Sequence, residues 1–152
     1  ALQAAEAAAL LLEAGAAREE GGPGLAAERL ADHLFTLGGL RRRAEDLAGA
    51  QEAWSRALGI RQLLKGPADP GVAALLNNLG ALAWDQGQLE EGLRMVRQAN
   101  RVFSETFGVN HAHTQASGLA LKRMREHLEE QADQARFAEQ RARQRQGEEP
   151  GA

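Results

Sequence analysis

The sequence predicts an all-α fold of stacked antiparallel helical hairpins closed by a long C-terminal helix, and three observations carry that prediction. The chain repeats itself: Leu34, Leu37, Gly38, Leu40, Leu47, Ala57 and Gly66 return 42 residues later, without a gap, as Leu76, Leu79, Gly80, Leu82, Leu89, Ala99 and Gly108. Ile60 is answered by Val102 and Trp54 by Val96. A fixed period in the range of about 20–50 residues marks a stacked-repeat architecture, because each hairpin cannot bury its apolar face alone. The second observation is punctuation. Gly66-Pro67-Ala68-Asp69-Pro70-Gly71 interrupts the chain between units, and Gln86-Gly87-Gln88 interrupts it inside one. The third is composition: aromatic residues make up only 4% while Ala and Leu dominate, which favours close helix–helix packing over a sheet core.

Taken in order, residues 2–20 are strong helix formers with Ala5, Ala8, Leu12 and Ala16 on one stripe. This predicts an N-terminal helix, the remnant of a preceding hairpin that caps or continues the stack. Gly21-Gly22-Pro23-Gly24 reads as a break after it. The first full unit spans 25–66. Its first helix, Leu25 to Arg43, sets Leu30, Leu34, Leu37 and Leu40 at spacings of three and four. A turn at Ala44 to Asp46 leads into a second helix, Leu47 to Lys65, whose inward set is Ala50, Trp54, Ala57, Leu58 and Leu64. The second unit spans 72–108. Val72 to Gln86 turns Leu75, Leu76, Leu79 and Leu82 inward, and Leu89 to Phe107 does so with Leu93, Val96, Ala99, Val102, Phe103 and Phe107. Gly80, Gly92 and Ala99 are small where the two helices must approach closely.

Residues 112–146 form one long helix or a bent pair. Leu121, Met124 and Leu128 continue a helical stripe, but Gln131 stands where the period asks for Leu, so the segment covers the open end of the stack with a polar face. Residues 147–152 read as a disordered tail. The chain opens on Ala rather than Met, which marks it in this reading as a piece of a longer protein.

The bulk numbers exclude several classes. A net charge of −3 supplies no field to draw nucleic acid or an anionic membrane. The absence of cysteine rules out disulfides and thiolate metal sites. The longest apolar run, Ala7 to Leu12, is far short of the ~20 residues of a membrane span. Together these point to a cytoplasmic protein without membrane or nucleic-acid partners.

The run Leu76 to Gly92, LNNLGALAWDQGQLEEG, followed by a helix ending in FGVNHAHT, resembles the tetratricopeptide repeat, in the 42-residue version found in kinesin light chains. Leu79, Gly80, Ala83, Gly87, Gly92, Val96 and Ala99 stand at that family's packing positions, as do Leu37, Gly38, Arg41, Ala50, Trp54 and Ala57 in the first unit. There are departures. Ala83 and Arg41 replace a usual Tyr, Gly92 replaces Ala, and Ala112 replaces the junction Pro that Pro70 keeps one unit earlier.

The resemblance implies a non-enzymatic tetratricopeptide-like α-solenoid in which the first helix of each hairpin lines a concave groove for a peptide. Carried over by position, the groove side holds Asp32, Phe35, Arg42 and Arg43 from unit one, Asn77, Asn78, Trp84 and Asp85 from unit two, and Arg123 with Glu126 beyond them. These residue types suit a peptide ligand, since Asn donates to and accepts from a peptide backbone, Arg grips carboxylates, and Trp offers an amphipathic platform. The resemblance also gives His111 a structural place at the repeat junction, which argues against reading His111 and His113 as a metal site. Arg136, Arg141, Arg143 and Arg145 make a basic stretch, but interleaved Glu129, Glu130, Asp133 and Glu139 predict a self-paired, solvated face. No strand–turn–helix nucleophile and no phosphate loop is present, so neither catalytic residues nor a cofactor is predicted. The function that follows is a protein-interaction module or scaffold, with self-association, or regulation of an absent enzymatic or nucleic-acid-binding domain, as the rivals.

Overall fold

Local chemistry sets where each helix starts and stops. The computed structural model describes residues 22–147, which form five helices: α1 (Gly22–Arg43), α2 (Leu47–Lys65), α3 (Pro70–Asp85), α4 (Leu89–Phe107) and α5 (Ala112–Gly147). Asp46 caps α2, its carboxylate accepting from the Gly49 N–H at 2.9 Å, and Asp69 caps α3 through the Val72 N–H at 3.2 Å. Each cap satisfies a donor that the first helical turn leaves without a partner. Pro70 occupies the first turn of α3, where its missing N–H costs nothing. The turns inside the two hairpins share one left-handed residue at the same register: Glu45 (φ 62°) in the first and Gly87 (φ 83°) in the second.

The helices pack in chain order, and the core comes in three segments. The first joins Leu34 and Leu37 of α1 to Ala50, Ala53, Trp54 and Ala57 of α2 and to Leu75, Leu79 and Leu82 of α3. The second joins Val72, Ala73 and Leu76 to Ala99, Val102 and Phe103 of α4, and the third joins Leu93 and Val96 to Leu121 and Met124 of α5. Each hairpin therefore touches only its neighbours, the arrangement of a stacked repeat. Helix α3 lies between α2 and α4 and buries residues on both sides, with Leu75 and Val72 fully enclosed.

Small residues in the second unit let the helices meet closely, as the spacing predicts. A Cβ on Gly80 would sit 2.8 Å from Val96 and 3.0 Å from the Gly92 carbonyl, and one on Gly92 would sit 2.7 Å from the Gly80 carbonyl. The two backbones are in direct contact there. In the first unit Trp54 fills the corresponding space, its indole against Gly38 and its Nε1–H donating to the Phe35 carbonyl at 3.0 Å.

Several expectations are corrected. Gly22, Pro23 and Gly24 lie in the first turn of α1, where Pro is tolerated, rather than in the break read over Gly21 to Gly24; Gly21 itself lies outside the described residues. Likewise α3 begins at Pro70 rather than Val72. Leu64 is 40% exposed and Phe107 43% exposed, so neither faces inward: both sit in the last turn of a hairpin's second helix, beyond the reach of the next first helix. Of the two forms expected for 112–146 the structure has the one long helix, corrected only in that Gly147 is its last residue instead of tail. The predicted helix over 2–20 and the end of the tail (148–152) lie outside the described residues.

Helix α5 begins as a third first helix. Its buried residues Thr114, Ser117, Leu121 and Met124 stand one 42-residue period after Val72, Leu75, Leu79 and Leu82. Asn100 of α4 ties it down, donating to the Thr114 carbonyl and to Ser117 Oγ, both at 2.9 Å. From Glu129 to Gly147 every residue is exposed, and the helix is held by its own pairs, such as Arg143–Glu139 at 2.6 Å and Arg136–Asp133 at 3.4 Å.

Candidate functional site

The first helices of successive units, α1, α3 and the start of α5, lie side by side, and their side chains meet across the unit boundaries. Arg42 Nη2 donates to Asp85 Oδ2 at 2.9 Å, with both side chains substantially exposed. One unit further on, Trp84 meets His127 edge to face, ring centroids 5.6 Å apart. Both contacts join a residue to the one 43 positions later. A single geometric relation, one period plus one residue, therefore runs as a ladder along the row of first helices. An exposed pair such as Arg42–Asp85 contributes little to stability, but it orients two charged groups at the surface.

The predicted site residues fall into distinct situations on this row. Asn77 and Asn78 are half-buried on α3, and the Asn77 Oδ1 is enclosed without a hydrogen-bond donor. Trp84 is half-buried, packed against the third core segment with one ring edge on His127. Arg43 and Arg123 are exposed. Phe35 is half-buried against the first core segment, and its register places it in line with Asn77 and with Leu119, which is 50% exposed. Asp32 lies apart from the ladder: it pairs with Arg61 at the far end of α2, beside the Lys65–Glu28 pair at 3.1 Å. Glu126 lies 3.9 Å from Lys122 of its own helix.

Sequence reasoning missed His127, Arg61 and Leu119. The first and third carry a signal, since His127 follows Asp85, and Leu119 follows Asn77, by one period. Arg61 carries none, because its contact with Asp32 depends on how the end of α2 crosses α1.

The junction before α5 is aromatic. Phe103, Phe107, His111 and His113 close a ring of four contacts, with centroid separations of 6.4, 4.4, 5.3 and 5.4 Å around the circuit. His111 precedes α5 and accepts the His113 N–H at Nδ1 (3.2 Å), capping the helix. The His111 Nδ1 lone pair is thereby committed to the backbone.

With this geometry in place, comparison with known families is decisive for the class. The tetratricopeptide repeat family model matches residues 29–103, the span of both hairpins from α1 to near the end of α4. The chain is a tetratricopeptide repeat protein, and its 42-residue spacing agrees with the kinesin-light-chain-like form of the repeat. Repeats of this family as a class mediate protein–protein interactions. No curated protein matches the chain. Among the described residues no helix is long and apolar enough to cross a membrane.

Proposed function

We propose that the chain is a non-enzymatic interaction module, part of a larger cytoplasmic protein, that takes a peptide or a partner domain on the row formed by α1, α3 and the start of α5. The observation that carries this reading is the Asn77 Oδ1, an acceptor with no donor on a row that also presents Asn78, Trp84 and the cationic Arg43 and Arg123. An enclosed polar atom without a partner costs free energy unless something supplies the missing bond, and turning the Asn77 amide outward onto a peptide N–H laid along α3 would supply it. The half-buried Trp84 gives an apolar surface beside it, and Phe35, Arg42 and Asp85 extend the row, while Asp32 is held by Arg61 outside it. No nucleic acid or membrane is assigned as a partner.

Changing Asn77 and Asn78 together to Ala tests this. Affinity capture from the native lysate is expected to lose one or more partners that the wild type retains, while the melting temperature stays nearly unchanged. Identical captures from both proteins would rule the row out as the binding surface.

A further inference from the structure

Positions 41 and 83 occupy the same place in successive units, and the protein fills them differently. In the first unit Arg41 extends from the last turn of α1 over the turn and onto the start of α2. Its Nη1 donates to the Gly49 carbonyl at 3.1 Å, and its Nε lies 3.8 Å from Asp46 Oδ2. The stem packs so closely over Gly49 that a Cβ there would lie 2.8 Å from Arg41 Cδ. The side chain is only 20% exposed. Arg41 is an integral part of that hairpin.

In the second unit position 83 is Ala, and the space over it is a cavity of about 210 Å3. The cavity is lined by Gln88 and Glu91, which stand one period after Asp46 and Gly49. Its apolar walls are Leu79, Leu82 and Met95, and its mouth carries exposed Gln51, Ser55 and Gln86. It opens between the two second helices, α2 and α4, away from the ladder of first helices. The volume is below the ~300–1,000 Å3 of sites for drug-sized ligands and fits one side chain.

We propose that this cavity binds an arginine side chain from a partner protein, which takes in the second unit the place that Arg41 takes in the first. An arginine stem has the length to run along Leu79, Leu82 and Met95, and its guanidinium then reaches the rim where Glu91 and the Gln86 and Gln88 amides offer acceptors. Glu91 is already held by Arg94, Nε to Oε2 at 2.9 Å and Nη2 to Oε1 at 2.7 Å. That pairing keeps its carboxyl below the usual carboxylate range, so the group is anionic at neutral pH. Each oxygen retains a second lone pair, since an ionised carboxylate offers about four acceptor sites. The site also lies at the C-terminus of α3, where the helix dipole favours a cation. A planar guanidinium uses divided acceptors of this kind better than an ammonium does. The inference is independent of the ladder and of any ligand bound there.

The test is a titration of the 15N-labelled chain with N-acetyl-arginine N-methylamide, followed at the amides of Ser55, Gln88 and Glu91. Saturable shifts are expected at these residues and not within 131–147, and the norleucine analogue should produce much smaller ones. Glu91→Gln should weaken binding roughly tenfold, the loss of one hydrogen bond to a charged group. Ala83→Arg should abolish the shifts by filling the cavity from within, and should raise the melting temperature. Ala83→Met fills the space without charge and should abolish them too, which keeps the test open if Ala83→Arg does not fold. Absence of shifts with the arginine amide, equal shifts with norleucine, or shifts that persist when the cavity is filled would each overturn the proposal.

Discussion

The α3–α4 hairpin and helix α5 start from the same plan and end differently. Through Met124 the two agree in register: Thr114, Ser117, Leu121 and Met124 are buried where Val72, Leu75, Leu79 and Leu82 are buried. They part at one position. Gly87 takes a φ of 83° and turns the chain back into α4, whereas Glu129, one period later, stays helical. Gly adopts the left-handed conformation without steric cost. The first unit makes the same turn on Glu45, so a residue other than Gly suffices when its neighbours enforce the turn. Just beyond that position in the register, Leu47 and Leu89 anchor their second helices, but Gln131 stands in their place.

The outward face of α5 completes the contrast. Where α3 offers Ala73, Leu76, Gly80 and Ala83 to α4, α5 carries Gln115, Gly118, Lys122 and Arg125. No second helix with an apolar stripe would gain by packing there. In α1 the position of Leu75 is taken by exposed His33. The first unit turns with Glu at the Gly87 position and α5 does not, so the difference teaches that the array is ended by two other local changes together: a missing anchor leucine and a polar outer row.

The contrast can be broken or sharpened by substitution. The largest effect is expected at Leu82→Ala or Leu79→Ala, which open cavities between helices on two sides and should cost about 2–5 kcal/mol in denaturant unfolding. Leu121→Ala, covered from one side only, should cost clearly less. A loss under about half a kcal/mol at both Leu79 and Leu82 would sink the assignment of that face. Next come the glycines. Gly92→Val drives a side chain into the Gly80 carbonyl and the Trp84 backbone and should cost about 1–3 kcal/mol, the range for overpacking. Gly118→Ala should instead stabilise by roughly 0.5–1 kcal/mol, because its Cβ meets only Asn100 Nδ2 at an ordinary 3.6 Å and a helix interior prefers Ala. Loss of the Asn100 bonds to Thr114 and Ser117 in Asn100→Ala should cost about 1–2 kcal/mol and lower protection at the start of α5. The smallest effect concerns pH. Glu91 is depressed by its hydrogen bonds to Arg94, so its stabilising contribution is present above the unfolded carboxylate range and lost as pH falls through the folded value. The stability difference between wild type and Glu91→Gln should therefore be present at neutral pH and shrink on acidification.

Much of this is legible in the sequence because a 42-residue period transfers information from one unit to the next. The buried leucines of α3, the close approach at Gly80 and Gly92, and the polar end of α5 all follow from matching positions. What fails to transfer lies at edges. Leu64 and Phe107 satisfy the helical spacing, yet no neighbouring first helix extends far enough to cover them. Pro23 reads as a stop in the sequence, yet its place in a first turn makes it a start. The candidate site is legible as a set of row positions, but not as a ladder. The Arg42–Asp85 and Trp84–His127 contacts depend on the axial stagger of α1, α3 and α5, which no spacing within a single unit encodes. The space over Ala83 is of the same kind: the period exposes the exchange of Arg for Ala, and only the packing shows that no other described residue fills it.

Amide hydrogen exchange along the whole chain tests the central claim, a stack of two hairpins and a third first helix that ends where the turn is missing. Protection should be greatest in α3, remain high from Thr114 to Met124, and fall to nearly that of an isolated helix between Gln131 and Gly147, independent of protein concentration. Protection over 131–147 equal to that of α3 would contradict it, for it would mean that another surface, in this chain or in a second copy, covers the helix where the account leaves it in water.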